Sequence, residues 1–206
     1  MPVVVVANPK GGVGKSTLST NVAGYYASQG HTVVLGDIDP QKSAHLWLSL
    51  RPASVAAIGQ WDTQTGALTS PPKGTTHAVL DTPAGLHGSA LKDVLKVADK
   101  VIVPLQPSIF DIYATQAFLD ELRAHRQSAG VEVGIVGMRI DERTRSAEQL
   151  HHFVDGLGLP VLGYVRDTQN YVHLAAQGLT VFDVSTTTRV ARDREQWQGI
   201  CRWLDA

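Results

Sequence analysis

A short apolar strand pattern followed at once by a glycine-rich turn constrains this chain more than any other feature. The four valines Val3–Val6 precede the turn, and a helical pattern begins near Lys15. Strand, loop and helix in this order are the setting of a phosphate-binding loop. Gly11, Gly12 and Gly14 let the backbone approach phosphate oxygens in conformations that a Cβ atom disfavours. Successive N–H groups at a helix N-terminus favour an anion, so this stretch predicts a nucleotide site.

Two side chains in this loop have chemistry suited to a nucleoside triphosphate. Lys15 is a cation that can reach the β- and γ-phosphates, and the Ser16 hydroxyl can ligate Mg²⁺. A glycine-rich turn that binds nothing is the alternative, and the strand before the loop and the helix after it disfavour that alternative. The predicted nucleotide-binding residues of the loop are Lys10, Gly11, Gly12, Val13, Gly14, Lys15, Ser16 and Thr17.

The loop departs from the general G-x-x-x-x-G-K-[ST] form at its start. Pro9 stands where the first glycine would be, and a second lysine, Lys10, precedes the glycines. Lys-Gly-Gly-Val-Gly-Lys-Ser resembles the deviant Walker A box of the ParA/MinD family of dimeric ATPases, above all its small ParA-type (ParF-like) partition ATPases. The resemblance implies ATP and Mg²⁺ as ligands and an ATP-dependent homodimer in which Lys10 reaches the partner's phosphates. The alternative for Lys10 is a solvated loop charge.

Two acids follow a second apolar segment, in the run DIDPQ at positions 37–41. Ligands bind at the carboxyl ends of strands in open α/β sheets, so acids at this place suit a site beside the phosphate loop. The run resembles the first switch region of the family. That resemblance implies that Asp39 positions the attacking water and that Asp37 supports the Mg²⁺ shell and Lys15. A helix cap for residues 41–50 is a compatible alternative role for Asp39.

A third box lies at residues 76–85, where an apolar strand pattern closes on Asp81. A carboxylate at this place is the general Walker B arrangement, which holds Mg²⁺, usually through a water molecule. Asp-Thr-Pro-Ala-Gly resembles the family's second switch, which implies that Asp81 lies on the magnesium side and that the backbone of Ala84 and Gly85 senses the γ-phosphate. The predicted metal ligands are Ser16, Asp37 and Asp81, and the predicted catalytic residues are Lys10, Lys15 and Asp39.

Later segments carry weaker signals for the rest of the site. Residues 106–111 resemble a family turn that introduces a long helix near the dimer face. For Asp111, two alternatives stay open: a direct part in catalysis, and an acid at the N-terminus of that helix, where the helix dipole favours it. Met138 and Arg139 end a further strand pattern, where the resemblance implies contact with the adenine ring.

The last stretch, residues 187–206, is predicted as one amphipathic helix with a basic edge. Acids interrupt its arginines, which argues against the basic polar face of a membrane-surface helix. A solvated mixed face and an edge that touches DNA are both open alternatives. The predicted DNA-binding residues are Arg166, Arg189, Arg192 and Arg194.

The bulk properties fit one cytoplasmic domain. The chain has 206 residues, with 18 Lys and Arg against 19 Asp and Glu, and a single cysteine, Cys201. This length suits one ATPase domain over residues 1–206, with no DNA-reading domain ahead of the phosphate loop. Balanced charge confines DNA binding to a local patch. One cysteine excludes a disulfide within the chain, and no run is apolar enough to predict a transmembrane helix.

Alternating strand and helix patterns predict an α/β chain of the three-layer P-loop NTPase fold, with a mainly parallel twisted sheet and helices on both faces. With the resemblance, they imply a Mg²⁺-dependent ATPase that acts as a switch in plasmid or chromosome segregation. The implied partners are a ParB-like centromere-binding or adaptor protein and non-specific DNA, with nucleoid association and no stable membrane association. Three alternatives stay open: a ParA-like ATPase that positions a protein cluster or other cargo on the nucleoid, a membrane-recruited MinD-like regulator, and a metabolic ligase or kinase.

Overall fold

Seven strands form one sheet in the computed structural model, which describes residues 1–63, 68–185 and 188–206, without the side chains of 126–129, 188 and 189. The strands are β1 (Val3–Val6), β2 (Val33–Asp37), β3 (Ile58–Trp61), β4 (His77–Asp81), β5 (Lys100–Leu105), β6 (Glu132–Ile140) and β7 (Val161–Arg166). They lie in the order β3-β2-β4-β1-β5-β6-β7. Each neighbouring pair is parallel, so the predicted parallel α/β sheet is confirmed.

The central strands consist of apolar runs because a parallel strand is buried on both of its faces. All four residues of β1 and all six residues of β5 are buried. The edge strand β3 differs, because Gly59 and Gln60 at its centre are exposed. Because only one side of an edge strand pairs with a neighbour, β3 is less buried than the central strands.

Helices cover both faces of the sheet and complete three layers. They are α1 (Lys15–Ser28), α2 (Ser43–Leu50), α3 (Gly88–Leu95), α4 (Ile109–Ala129), α5 (Arg145–Asp155), α6 (Gln169–Ala175), α7 (Thr188–Gln196) and α8 (Gln198–Asp205). Two buried apolar clusters separate the layers, and β1 gives Val3 and Val5 to one cluster and Val4 and Val6 to the other. Alternate residues of a strand point to opposite faces, so the two clusters lie on the two sides of the sheet.

The prediction of one helix over residues 187–206 is wrong, because two helices, α7 and α8, meet at Trp197. The backbone N–H of Trp197 donates to the Arg194 carbonyl at 3.1 Å, an i to i−3 bond that tightens the chain there. The indole of Trp197 is fully buried and donates to the Tyr171 hydroxyl at 2.9 Å. A buried anchor at the junction therefore decides where the first helix ends.

Candidate nucleotide-binding site

The loop between β1 and α1 has the backbone conformation that its glycines permit. Gly12 and Gly14 have φ values of 75° and 97°, in the left-handed region that residues with a Cβ atom rarely adopt. A Cβ atom on Gly14 would also come within 2.8 Å of Met138 Cε. Among the described residues, no side chain caps the first turn of α1, which leaves that helix N-terminus suited to an anion.

The side chain of Asn8 fixes the position of this loop. Its buried side chain donates to the Pro104 carbonyl at 2.8 Å and to Thr115 Oγ1 at 3.1 Å. Its Oδ1 accepts the Lys10 N–H at 2.8 Å. Gln106 Nε2 adds a bond to the Gly12 carbonyl at 2.9 Å. The ends of β1 and β5 and the helix α4 are thereby tied to one loop conformation.

Lys15 lies inside the concavity of the loop. Its side chain is buried, and Nζ donates to the Lys10 carbonyl at 2.7 Å. Burial lowers the pKa of Lys15, while the charges of Asp81 and Asp39 act in the opposite direction. The structure thus brings together the lysine and both acids that the sequence places around a phosphate group.

The two acids at the strand ends are neighbours, because β2 and β4 pair with Asp37 opposite Asp81. Asp81 is fully buried, and its Oδ1 accepts the Ser19 hydroxyl at 3.0 Å. Burial raises the pKa of Asp81 to about 7, against the lowering effect of the Ser16 and Ser19 hydroxyls. Its Oδ2 is buried with no hydrogen-bond partner among the described residues.

An unpartnered buried carboxylate oxygen is costly unless another group covers it. Magnesium prefers oxygen ligands, so the oxygen atoms of Asp81 and Ser16 fit this ion directly or through water. When bound, Mg²⁺ would neutralise charge on the β- and γ-phosphate oxygens. The described residues contain no group of three or more His, Cys, Asp or Glu side chains suited to a metal, so phosphate and water would supply the other ligands.

Asp37 has a structural role that the sequence did not predict. It is fully buried, and its carboxylate accepts the N–H groups of Asp39 at 2.9 Å, Ala44 at 2.8 Å and His45 at 3.2 Å. Asp37 therefore caps the N-terminus of α2, a role that the sequence suggested for Asp39. The Asp39 carboxylate accepts the Gln41 N–H at 2.9 Å and is partly exposed. Metal support by Asp37 and water positioning by Asp39 stay predictions.

Lys10 points away from the concavity and toward α4. Its Nζ lies 3.4 Å from Asp111 Oδ1, and 40% of its side chain is exposed. Asp111 stands in the first turn of α4, as the helix-terminus alternative predicts. The pair keeps one lysine of the loop at the protein surface beside the site.

A pocket of about 350 Å³ adjoins the phosphate loop. Val13, Gly14 and Thr17 line one wall, and Met138 and Arg139 line another. Arg139 has a φ of 55°, which is uncommon for a residue with a Cβ atom. The two residues predicted near adenine therefore share a cavity with the loop, and their contact with a base stays a prediction.

Three of the four arginines predicted to bind DNA have described side chains, and these three lie in different environments. Arg166 lines the same pocket as Met138 and Arg139, and its Nε donates at 2.6 Å to Asp193, which is fully buried. Arg192 is exposed on α7, and the Arg194 guanidinium lies 5.7 Å from the ring centre of Phe182. The side chain of Arg189 lies outside the described residues. DNA contact by each of the four stays a prediction.

The fold and the loop define a P-loop nucleotide-binding protein. The sequence profile of the CobQ/CobB/MinD/ParA nucleotide binding domain matches residues 4–181. This chain belongs to that family. The resemblance to ParA and MinD proteins is thereby confirmed.

Two relatives of known name illustrate the range of this family. Maintenance of carboxysome distribution protein A of Gloeobacter kilaueensis is 28% identical, over 87% of this chain and 83% of that protein. Chromosome-partitioning ATPase Soj of Thermus thermophilus is 29% identical, over 71% of this chain and 73% of that protein. The names of the two relatives refer to different cargoes, a carboxysome in one and a chromosome in the other.

Solved structures match the fold over most of its length. A putative plasmid partition protein from Borrelia burgdorferi, bound to AMPPNP, superposes with a TM-score of 0.73 at 16% identity over 98% of each chain. Cobyrinic acid a,c-diamide synthase from Mycobacterium smegmatis, with an ATP analogue and magnesium, gives 0.67 at 23% identity, over 85% of this chain and 93% of that chain. At these identities the likeness supports the fold alone.

In the described part of the chain, no helix has the length and apolar character needed to cross a bilayer.

Proposed function

We propose that this protein binds ATP and Mg²⁺, hydrolyses the ATP, and uses its nucleotide state to switch between a monomer and a homodimer. The observation that carries this proposal is the meeting of the buried Lys15 with the buried, partly unpartnered Asp81 at the end of the glycine-rich loop. One group neutralises phosphate charge and the other suits the metal. Burying two charged groups costs free energy, and a turn that binds no ligand gains nothing that offsets this cost.

Hydrolysis requires a water molecule in line with the γ-phosphate, since the bond from phosphorus to the ADP oxygen breaks as the water oxygen attacks. Asp39 is the proposed residue that orients this water. Among the described residues, the Asp39 carboxylate accepts the Gln41 N–H, which uses part of the acceptor capacity of a carboxylate. Lys15 stabilises charge on the phosphate oxygens in the same step.

The position of Lys10 supports the proposed dimerisation. This lysine is half-exposed at the rim of the site and points to α4 rather than to the concavity of its own loop. A partner's triphosphate offers it several charged oxygens, and charge-assisted hydrogen bonds of this kind contribute roughly 1.5–3 kcal/mol each. ADP has fewer of these oxygens, so the dimer should depend on ATP.

The cargo divides this function into two candidates that share one mechanism. Partition of a plasmid or chromosome, with a ParB-like or adaptor partner and non-specific DNA as the matrix, is supported by the likeness to Soj. Positioning of a protein compartment is supported equally by the likeness to carboxysome distribution proteins, of which a second, from Halothiobacillus neapolitanus, is 27% identical over 92% of this chain. Both candidates place the protein on the nucleoid. A membrane-recruited regulator is disfavoured by the mixed charge of α7 and α8.

Phosphate release measured with and without Mg²⁺ tests the proposed reaction. We expect slow turnover that chelation abolishes, and Lys15→Ala should lose both tight ATP binding and turnover. Lys42→Ala is the matched control, because Lys42 lies near the site but bonds to the backbone carbonyl of Asp37. Wild-type turnover by the Lys15 variant would contradict the assignment of the loop. Foci of the protein are then compared between cells that lack the DNA cargo and cells that lack the protein compartment. The cargo whose absence removes the foci identifies the correct candidate.

A further inference from the structure

A serine on α1 reaches the acid that suits magnesium in the nucleotide site. Ser19 stands four residues after Lys15, so the two residues lie on the same side of the helix. The Ser19 side chain is fully buried. Its hydroxyl lies 3.0 Å from Asp81 Oδ1 and 3.0 Å from the Lys15 carbonyl oxygen. Ser19 therefore connects the first turn of α1 to the end of β4.

Two acceptors compete for the single proton of the Ser19 hydroxyl. A bond from a serine inside a helix to the carbonyl four residues before it is common and local. A bond to an ionised carboxylate is roughly twice as strong as a bond between neutral groups. Whenever Asp81 is ionised, the Ser19 proton therefore favours Asp81 Oδ1 over the Lys15 carbonyl.

The main chain around Asp81 is fixed on both sides of the strand. Asp81 lies opposite Val6 of β1 and opposite Asp37 of β2. The Thr82 hydroxyl donates to the Val6 carbonyl at 2.8 Å, and the Asp81 carbonyl accepts the Ile38 N–H at 3.1 Å. The last side-chain torsion of an aspartate is soft by comparison, because rotation of a planar carboxylate has broad energy wells. The direction of each carboxylate oxygen therefore depends on the hydrogen bonds that it accepts.

The bond from Ser19 distinguishes the two oxygens of Asp81. Oδ1 accepts the Ser19 hydroxyl, whereas Oδ2 is buried with no hydrogen-bond partner among the described residues. Ser16 lies three residues nearer the phosphate loop, is partly exposed and is itself a predicted ligand of the ion. Ser19 is fully buried, so its hydroxyl can stay on Oδ1 while Ser16 turns to the ion.

We propose that Ser19 is a positioning residue for Mg²⁺, which holds Asp81 Oδ1 so that Oδ2 stays available to the ion or to its bound water. The inference rests on the proposed function, since it concerns the ion of the same site. Residues behind the direct ligands of a metal orient those ligands, and their replacement typically lowers metal affinity roughly 10–100-fold. Loss of the Ser19 hydroxyl frees the last torsion of Asp81, whereas the backbone of the phosphate loop keeps its hold on the nucleotide.

Ser19→Ala tests the proposal through metal affinity rather than turnover. The dissociation constant of the fluorescent nucleotide mant-ADP is measured in EDTA and at a series of Mg²⁺ concentrations. We expect the Mg²⁺ concentration of half-maximal effect to rise at least about tenfold, while the dissociation constant in EDTA stays at the wild-type value. Thr20→Val is the matched control, because it deletes the neighbouring buried hydroxyl, whose bonds at 2.8 and 3.1 Å go to the carbonyls of Ser16 and Thr17.

Ser19→Thr keeps a hydroxyl on the same carbon atom and should recover most of the wild-type response to Mg²⁺. Urea denaturation of each variant separates a loss of folding from a loss of metal affinity. A Ser19→Ala variant that is less stable but responds to Mg²⁺ like the wild type would show that Ser19 serves the fold alone, and would overturn the proposal. A Ser19→Thr variant with a response as weak as that of Ser19→Ala would also contradict it.

The two proposals fail in different ways. If mant-ADP binding by the wild type does not respond to Mg²⁺, the proposed Mg²⁺-dependent function is wrong. If the wild type responds and Ser19→Ala responds at the same Mg²⁺ concentrations, the function stands and the positioning by Ser19 is wrong.

Discussion

Replacing Arg51 by alanine should destabilise this protein far more than a surface substitution does. The Arg51 guanidinium makes two bonds to the Asp183 carboxylate, at 2.9 and 2.7 Å, and the two side chains are 5% and 3% exposed. Asp183 Oδ2 also accepts the N–H and the hydroxyl of Thr180, both at 2.7 Å. Removal of Arg51 leaves a buried carboxylate with about half of its partners.

Breaking a buried ion pair on one side costs about 3–5 kcal/mol, because the remaining charge is uncompensated. For a chain of this size that loss corresponds to a melting temperature lower by roughly 6–20 °C. Arg51→Ala and Asp183→Ala should each show it, and the double variant should cost less than their sum. Urea denaturation gives the free energies, with Arg143→Ala, an exposed arginine paired with Asp141, as the control. A loss below about 1 kcal/mol for Arg51→Ala would refute the reasoning.

Three further outcomes are expected. Asp39→Ala should bind ATP but hydrolyse it at least about a hundredfold more slowly, whereas the exposed Asp62→Ala should match the wild type in a phosphate-release assay. Burial raises the pKa of Asp81 from its ordinary 3.8 to about 7, so without Mg²⁺ its contribution to stability is present below pH 4 and lost as the pH rises to 7. Asp81→Asn should remove that slope from urea denaturation, and an unchanged slope would exclude Asp81 as its source. Arg192→Ala should weaken DNA binding by the ATP dimer and reduce the salt slope by about 0.9 per lost phosphate contact in mobility shifts, and equal slopes would exclude Arg192.

The sequence predicted those parts of the site that depend on local chain order. A strand, three glycines and a lysine specify a phosphate loop because the backbone conformation is set by neighbours in sequence. Asp81 was predictable for a similar reason, since it ends an apolar strand. The parallel sheet followed from the alternation of strand and helix patterns.

Contacts between distant residues were not predictable in this way. Asn8 tethers the loop through Pro104 and Thr115, which are 96 and 107 residues away. Its place directly before Pro9, at the end of a strand, was the available signal. The cap that Asp37 forms on α2 depends on how the chain turns after β2, and the break at Trp197 depends on a buried partner, Tyr171. Such features arise from tertiary packing rather than from propensity.

Light scattering with size-exclusion chromatography tests the central claim most directly. Wild-type protein should elute at the 22.1 kDa mass of one chain with ADP, and at twice that mass with AMPPNP and Mg²⁺. Lys10→Ala should bind both nucleotides and keep the mass of one chain in each. A wild-type protein that binds AMPPNP and remains at one chain mass, or a Lys10 variant that doubles its mass like the wild type, would contradict the account.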